Sequence, residues 1–436
     1  MNRYVATLAL MTLVLSACGD TQETRLEGAR LDLTGQDVDL VSQDEQTVPS
    51  LRLAAATENS DWTHLGGSAQ HMIANAAFSS DPQPLWSTAI GSMQTKRSRS
   101  NVSPVVANST VFAMDSQANV SAVNASGDVI WQVNLVPYSD FGDQGASGGM
   151  STDGDLLFVT SGFGELVALD TANGNRLWSQ DLEGFGGGAP TVYEDIVYVS
   201  GRDGTAWAID KVDGRILWQI AGAESKSGIL GGSSVAVGEK FAIFPFATGE
   251  VLSVYRLGGR RNWTTVLGGA RLGRAISAYS DLTGDPVIQG NRVFVGNSSG
   301  RLVAIDMEGG DRLWTSKEGV SDLISTSGAS LFFVSDQNEL IRLSAATGEV
   351  YWRQTLPRFT TDKVKRRKGT FAHFGPILAN GNIIVPSSDG VIRIFDAESG
   401  ALETTLDIPS GASGAPAIAN GALYVISNAG VLHAYR

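Results

Sequence analysis

Cysteine occurs once in the 436-residue chain, at position 18. One thiol excludes a disulfide framework, a cysteine-built zinc site and a Cys-x-x-Cys redox pair. Histidine is nearly as scarce, at His64, His71, His373 and His433. No two of them stand at the spacing of a metal-ligand pair, so packing or solvated roles are expected for all four. A phosphate-binding glycine loop is also missing, since Gly-Phe-Gly-Gly-Gly at 184–188 has no helical pattern after it and reads as a loop. Positive charge is in deficit: 32 Lys and Arg stand against 45 Asp and Glu, a formal net charge of −13. Such a chain repels nucleic acid as a whole, and any contact with a polyanion needs a local basic patch. Long apolar runs are absent apart from an uncharged stretch at 4–15, too short to span a bilayer as a helix.

What the chain has in abundance is glycine, 51 residues, and a recurring phrase. GELVALDTANGNRLW at 164–178 returns as GTAWAIDKVDGRILW at 204–218 and GRLVAIDMEGGDRLW at 300–314. The tryptophans Trp86, Trp131, Trp178, Trp218, Trp263, Trp314 and Trp352 recur at spacings of 38 to 51 residues, and an eighth unit, GVIRIFDAESGALET at 390–404, lacks the aromatic. A period near 45 residues fits four-stranded propeller blades or paired helices. Strand-type alternation in ELVALD, RLVAID and VIRIFD, with glycine breaks every several residues, decides for β structure. One blade reads as four strands between Ala189 and Ile220, with an RDG hairpin between the second and third. The Asp-x-x-x-Gly pattern at Asp170/Gly174, Asp210/Gly214, Asp306/Gly310 and Asp396/Gly400 is a turn between the third and fourth strands. The seven tryptophans are expected to fill the gaps between blades.

The last unit stops at Arg436 after three strands, whereas the first tryptophan, in PLWSTAI, has no three strands ahead of it. The two fragments complete each other. The expected fold is therefore all-β: an eight-bladed propeller of four-stranded antiparallel blades, closed by an N-terminal strand completing the last blade.

The start of the chain has the layout of a secretory signal, and Leu-Ser-Ala-Cys at 15–18 resembles a bacterial lipobox. That resemblance implies removal of residues 1–17 and lipidation of Cys18, whose acyl chains suffice for stable anchoring. Gly19 after the cysteine favours the outer membrane. Residues 18–60 are polar and acid-rich and read as a flexible tether, with the propeller occupying 61–436.

The repeat A-x-D-x-x-x-G-x-x-x-W resembles that of quinoprotein dehydrogenases, which would imply pyrroloquinoline quinone and calcium in an eight-bladed propeller. The vicinal cysteine pair of those enzymes is absent, so no cofactor and no catalysis are expected. Lipobox, acidic tether and eight such repeats together resemble the BamB family, lipoprotein subunits of the outer-membrane β-barrel assembly machinery. The resemblance implies a non-enzymatic scaffold at the periplasmic face of the outer membrane. Its implied partners are the barrel-inserting subunit and nascent outer-membrane proteins. The family's docking loops correspond to SKSGILGGSS (225–234) and ISAYSDLTGDP (276–286). Ile229 matches an apolar contact and Asp281 the first acid, while Leu230 holds the arginine position and Thr283 that of the second acid. A quinone-dependent dehydrogenase and a cell-wall-binding propeller are the alternative readings.

One further feature needs no family. The loop 357–373 carries Arg358, Lys363, Lys365, Arg366, Arg367 and Lys368 against one acid, Asp362, and the loop 87–103 adds Lys96, Arg97 and Arg99. An acidic chain thus gathers cations in one sector of one rim, a patch suited to an acidic partner or anionic headgroups.

Overall fold

The computed structural model describes residues 49–436 except 74, 96–97, 139–147, 183–187, 202, 223–231, 269–270 and 272–280. Cys18, the expected signal and most of the expected tether, Lys96 and Arg97, and the loop residues Ile229 and Leu230 lie outside the described residues. The described chain contains 32 strands in eight antiparallel sheets of four. Its only described helical turn is a three-residue 3-10 segment, Val364–Arg366. Blades 1 to 7 are continuous in sequence, at 105–134, 148–181, 191–221, 236–266, 282–316, 320–355 and 377–407. Blade 8 is composite: Ala417–Ala419, Ala422–Ile426 and Val431–Tyr435 are completed by Pro84–Ala89.

Closure has a defined register. Trp86 lies opposite Ala434 and Ala89 opposite Val431. Beyond the strand ends, Gln83 and Arg436 exchange both backbone hydrogen bonds at 2.8 Å. The first strand of blade 1 packs on the first strand of blade 8, as first strands of neighbouring blades do elsewhere in the ring. First strands are largely buried, whereas fourth strands alternate exposed and half-buried residues. Apolar content therefore falls from the axis outward, as the alternation in the repeat requires.

The blade seams explain why the repeated phrase ends in tryptophan. Each turn glycine, Gly127, Gly174, Gly214, Gly259, Gly310, Gly348 and Gly400, adopts a φ between +66° and +91°. A Cβ there would stand 2.5 to 2.9 Å from the indole of the preceding blade. Glycine is thus required twice, for the left-handed turn and for the flat ring lying on it. Trp131, Trp178, Trp218, Trp263 and Trp314 donate their indole N–H to the carbonyl of Thr171, Lys211, Arg256, Met307 or Ala345 in the same turn, at 2.9 to 3.1 Å. Trp86 does so to Ala125 at 3.0 Å, sealing the composite blade to blade 1. Trp352 packs on Gly400, but its N–H has no hydrogen-bond partner among the described residues. The aspartates hold the turn from within: Asp210 accepts from the Val212 and Asp213 amides, and Asp170 from those of Ala172 and Asn173.

Blade 7 carries Thr404 where the others carry tryptophan. The blade it faces has no third-to-fourth turn, because there the two chain segments meet at Gln83 and Arg436. With no glycine turn to receive it, an indole at 404 would lack its seat.

Residues 49–80 belong to no blade and run across the face that carries these turns. Trp62 exchanges two backbone hydrogen bonds with Val106 of blade 1, and Thr63 accepts from Thr152 of blade 2. Ala69 accepts from Val237 of blade 4, Gln70 from Ile288 of blade 5, Ala76 from Asn380 beside blade 7, and Asn59 from Asn420 beside blade 8. Residues 49–60, grouped with the tether on composition, also touch the ring: Leu51 and Leu53 pack against the core between blades 6 and 7, and Arg342 donates to the Pro49 carbonyl at 2.9 Å.

Candidate interaction face

The two ends of the ring differ in what the chain leaves available. On the turn-bearing end, the crossing segment buries Trp62, His64, Ala69, His71, Ala76 and Phe78. His64 places Nε2 2.8 Å from the Val192 carbonyl, and His71 places Nδ1 2.9 Å from that of Pro286. Burial pushes both imidazoles down to about 4, against the opposing pull of these carbonyls. They are neutral struts that pin the segment to blades 3 and 5. His373 and His433 are likewise buried and lowered by desolvation.

The other end carries the connections from each fourth strand to the next first strand. Here a cavity of about 150 Å³ opens on the axis, lined by first-strand residues of several blades and by Leu65 from the crossing segment. Asp281 and Thr283 both line it. Asp281 is 5% exposed, and Thr283, half-buried, donates its hydroxyl to the Val320 carbonyl of blade 6 at 2.5 Å. Ser233 of blade 4 donates to the Leu282 carbonyl at 2.6 Å, and the Ser234 amide donates to Asp285. Residues 282–285 therefore stitch blade 5 between its two neighbours. The docking loops inferred from the family resemblance flank blade 4 and so are adjacent in the ring. The basic loop lies two connections further round, between blades 6 and 7.

Three groups in this face carry no signal in the sequence. Asp285 and Asp322, both lining the cavity, are raised by burial to about 7 and about 8, and Asp322 further by the Asp285 charge. Arg271 stands at the head of the loop toward Asp281. It bonds Asp336 through Nε at 3.1 Å and a terminal nitrogen at 3.0 Å, and donates to the Lys317 carbonyl at 2.9 Å. Glu318 links it onward to Arg353 at 2.8 Å. This charge network bolts the loop's base to blade 6, and only proximity in the fold reveals it.

The described lining of the cavity contains no Lys, Arg or His. A quinone bearing several carboxylates would meet buried aspartates and no cation, so these residues do not fit it. Among the described residues, no group of three or more His, Cys, Asp or Glu is placed to hold a metal ion. Gly296-Asn297-Ser298-Ser299-Gly300 spells a nucleophile-elbow pattern, but it joins the antiparallel strands Arg292–Asn297 and Arg301–Asp306 and no helix follows. The elbow needs a strand-to-helix turn, so this is a blade hairpin.

Comparison with known proteins agrees with this geometry. A family model described as "Outer membrane protein assembly factor BamB" matches residues 116–354. The outer membrane protein assembly factor BamB of Yersinia pestis is 25% identical over 361 residues, covering 81% of this chain and 88% of that relative. The crystal structure of BamB from Moraxella catarrhalis superposes with a TM-score of 0.67 at 19% identity, covering 82% of this chain and 100% of that one. The quinohemoprotein alcohol dehydrogenase of Comamonas testosteroni superposes with a TM-score of 0.66 at 12% identity, covering 88% of this chain and 81% of that one. The propeller is common to all; at these identities the superpositions speak for the fold alone.

Proposed function

Because the chain belongs to the BamB family of outer-membrane protein assembly factors, we propose that it is a non-catalytic propeller scaffold of that assembly. In this reading Cys18 is lipidated and tethers the ring to the periplasmic face of the outer membrane. The end carrying the inter-blade connections docks on the barrel-inserting subunit, so that incoming strands are presented beside it. Ile229, Leu230, Asp281 and Thr283 belong to the two adjacent loops proposed for that contact. Asp281 is buried against the cavity and Thr283 is bonded to blade 6, so their part is to hold the loop in shape, and the remaining residues of 225–234 and 276–286 make the contact.

The observation that supports this reading most strongly is the match to the BamB model over 116–354, joined to a cavity without a cation for an anionic cofactor. Affinity purification of the lipidated chain from envelope membranes tests it. Co-recovery of a large barrel-inserting protein is the expected result. Recovery of the chain alone from gently solubilised membranes overturns the proposal.

A further inference from the structure

The basic loop between blades 6 and 7 is a built hairpin. Thr360 donates its amide to the Gly369 carbonyl at 3.1 Å, Phe371 to Arg358 at 2.9 Å, and Phe359 bridges Thr370. The Phe359 ring is flanked by the Arg358 and Arg367 guanidiniums, 5.0 and 4.9 Å from its centroid, which stiffens the stem. The base is bolted to both neighbouring blades. His373 contacts Ser387 at 2.6 Å and the Pro357 carbonyl at 2.8 Å, and Asn338 of blade 6 donates to the Phe371 carbonyl at 2.9 Å. Above this base, Lys363, Lys365, Arg366, Arg367 and Lys368 are all exposed around the 3-10 turn, with Val364 74% exposed among them. None of these five cations forms an ion pair with a described residue.

Crowding five cations on one tip, with Asp362 the one acid in the loop, costs repulsion that no ion pair of these five with a described residue offsets. A structured acidic protein site would call for cations held at fixed angles. Here the stem is fixed, while the lysines and Arg366 are free to spread. That arrangement suits a diffuse sheet of negative charge, and a cluster of four to eight such residues is what an anionic bilayer surface attracts. Val364 supplies an apolar contact for the headgroup boundary.

We propose that hairpin 357–373 is a contact site for an anionic phospholipid surface, fixing the tilt of the ring relative to the membrane. The proposal rests on the reading of the chain as a membrane-tethered scaffold, but its test is separate from that of partner binding. A full-length Cys18→Ser, Val364→Cys chain carries one thiol, at the tip, for an environment-sensitive fluorophore. The probes are vesicles of phosphatidylcholine alone, the same vesicles with about one third phosphatidylglycerol, and poly-glutamate. A local probe reports the hairpin whether or not the N-terminus also inserts.

The expected result is a blue shift with phosphatidylglycerol vesicles only, abolished by high salt. Lys363→Gln, Lys365→Gln, Arg366→Gln and Lys368→Gln together should weaken the response roughly 100- to 1,000-fold. This variant leaves Arg358 and Arg367 on Phe359, so the stem is retained. An equal shift with both vesicle types, or no effect of the four substitutions, overturns the proposal. A shift with poly-glutamate and none with anionic vesicles overturns it in favour of an acidic protein partner.

Discussion

The two ends of this ring are built from the same strands and put to opposite use. At the turn-bearing end, residues 49–80 cross from blade to blade, and carbonyls and amides at first-strand ends find partners in that segment. At the connection-bearing end, loops of uneven length surround an axial cavity and a cationic hairpin stands clear of the ring. The difference teaches where this architecture has room for partners. A face crossed by its own chain is chiefly a stability element, with a groove left between the turns of blades 4 and 5, and the other face is where contact can vary at least cost to the fold.

Perturbations at the two ends should therefore separate stability from binding. Among single substitutions the largest stability effect is expected at Trp62, 1% exposed in the core shared by blades 1, 7 and 8. Trp62→Ala should cost about 3–5 kcal/mol in denaturant unfolding. A loss below about 1 kcal/mol would mean that the crossing segment is not integral to the fold.

A pH effect has opposite sign at the two ends. His64 and His71, lowered to about 4, stay neutral in the folded chain while the unfolded chain protonates near 6.5. Their contribution is complete above pH 6.5 and is lost as pH falls toward 4, by roughly 3 kcal/mol for each imidazole. Asp285 and Asp322, raised to about 7 and about 8, keep protons that the unfolded chain releases near 3.8. Their contribution is complete below pH 3.8 and is lost as pH rises to about 8. The opposing slopes offset each other between pH 4 and 6.5, and between 6.5 and 8 only the aspartate loss remains. Stability measured by chemical unfolding should therefore decline from pH 6.5 to 8, and Asp285→Asn with Asp322→Asn should flatten that decline. A decline unchanged in the double variant would reassign it to other groups.

Arg271→Ala should act in the opposite proportion. It removes the two-pronged arginine contact of Asp336 and one of the two arginines on Glu318 and should cost about 1–3 kcal/mol, while weakening recovery of the proposed barrel-inserting partner more than tenfold by loosening the chain ahead of Asp281. Equal loss of partner in a variant of matched stability at a blade seam would remove the special role of Arg271. The smallest stability effect is expected at the basic hairpin. The fourfold lysine and arginine to glutamine variant should shift unfolding by less than about 0.5 kcal/mol, since its exposed cations hold nothing within the ring.

How much of this the sequence shows follows from how each contact is made. Blade number, strand order and ring closure are legible because they rest on a repeated pattern: alternation, a turn glycine and a tryptophan at one place per unit. The crossing segment, DWTHLGGSAQHMIA with its flanks, holds the ring through single backbone bonds to different blades, which need no periodic side chains. For its histidines the sequence leaves packing and solvated roles both open, and nothing in their spacing points to blades 3 and 5. Asp285, Asp322 and Arg271 act through groups 40 or more residues away or through burial, neither of which leaves a local pattern. The absence of tryptophan at Thr404 was visible in the sequence, while its cause, a neighbouring blade closed by two chain segments, emerges only from the ring.

The contrast between the two ends is tested most directly by photo-crosslinking in intact envelopes. A photoreactive residue is placed at Gly232 or Lys317 on the connection-bearing end, and at Glu239 or Asn291 on the turn-bearing end. Adducts to a large barrel-inserting partner from the first pair and none from the second are the predicted result. Adducts of equal yield from both ends, or from Glu239 and Asn291 alone, would contradict the account.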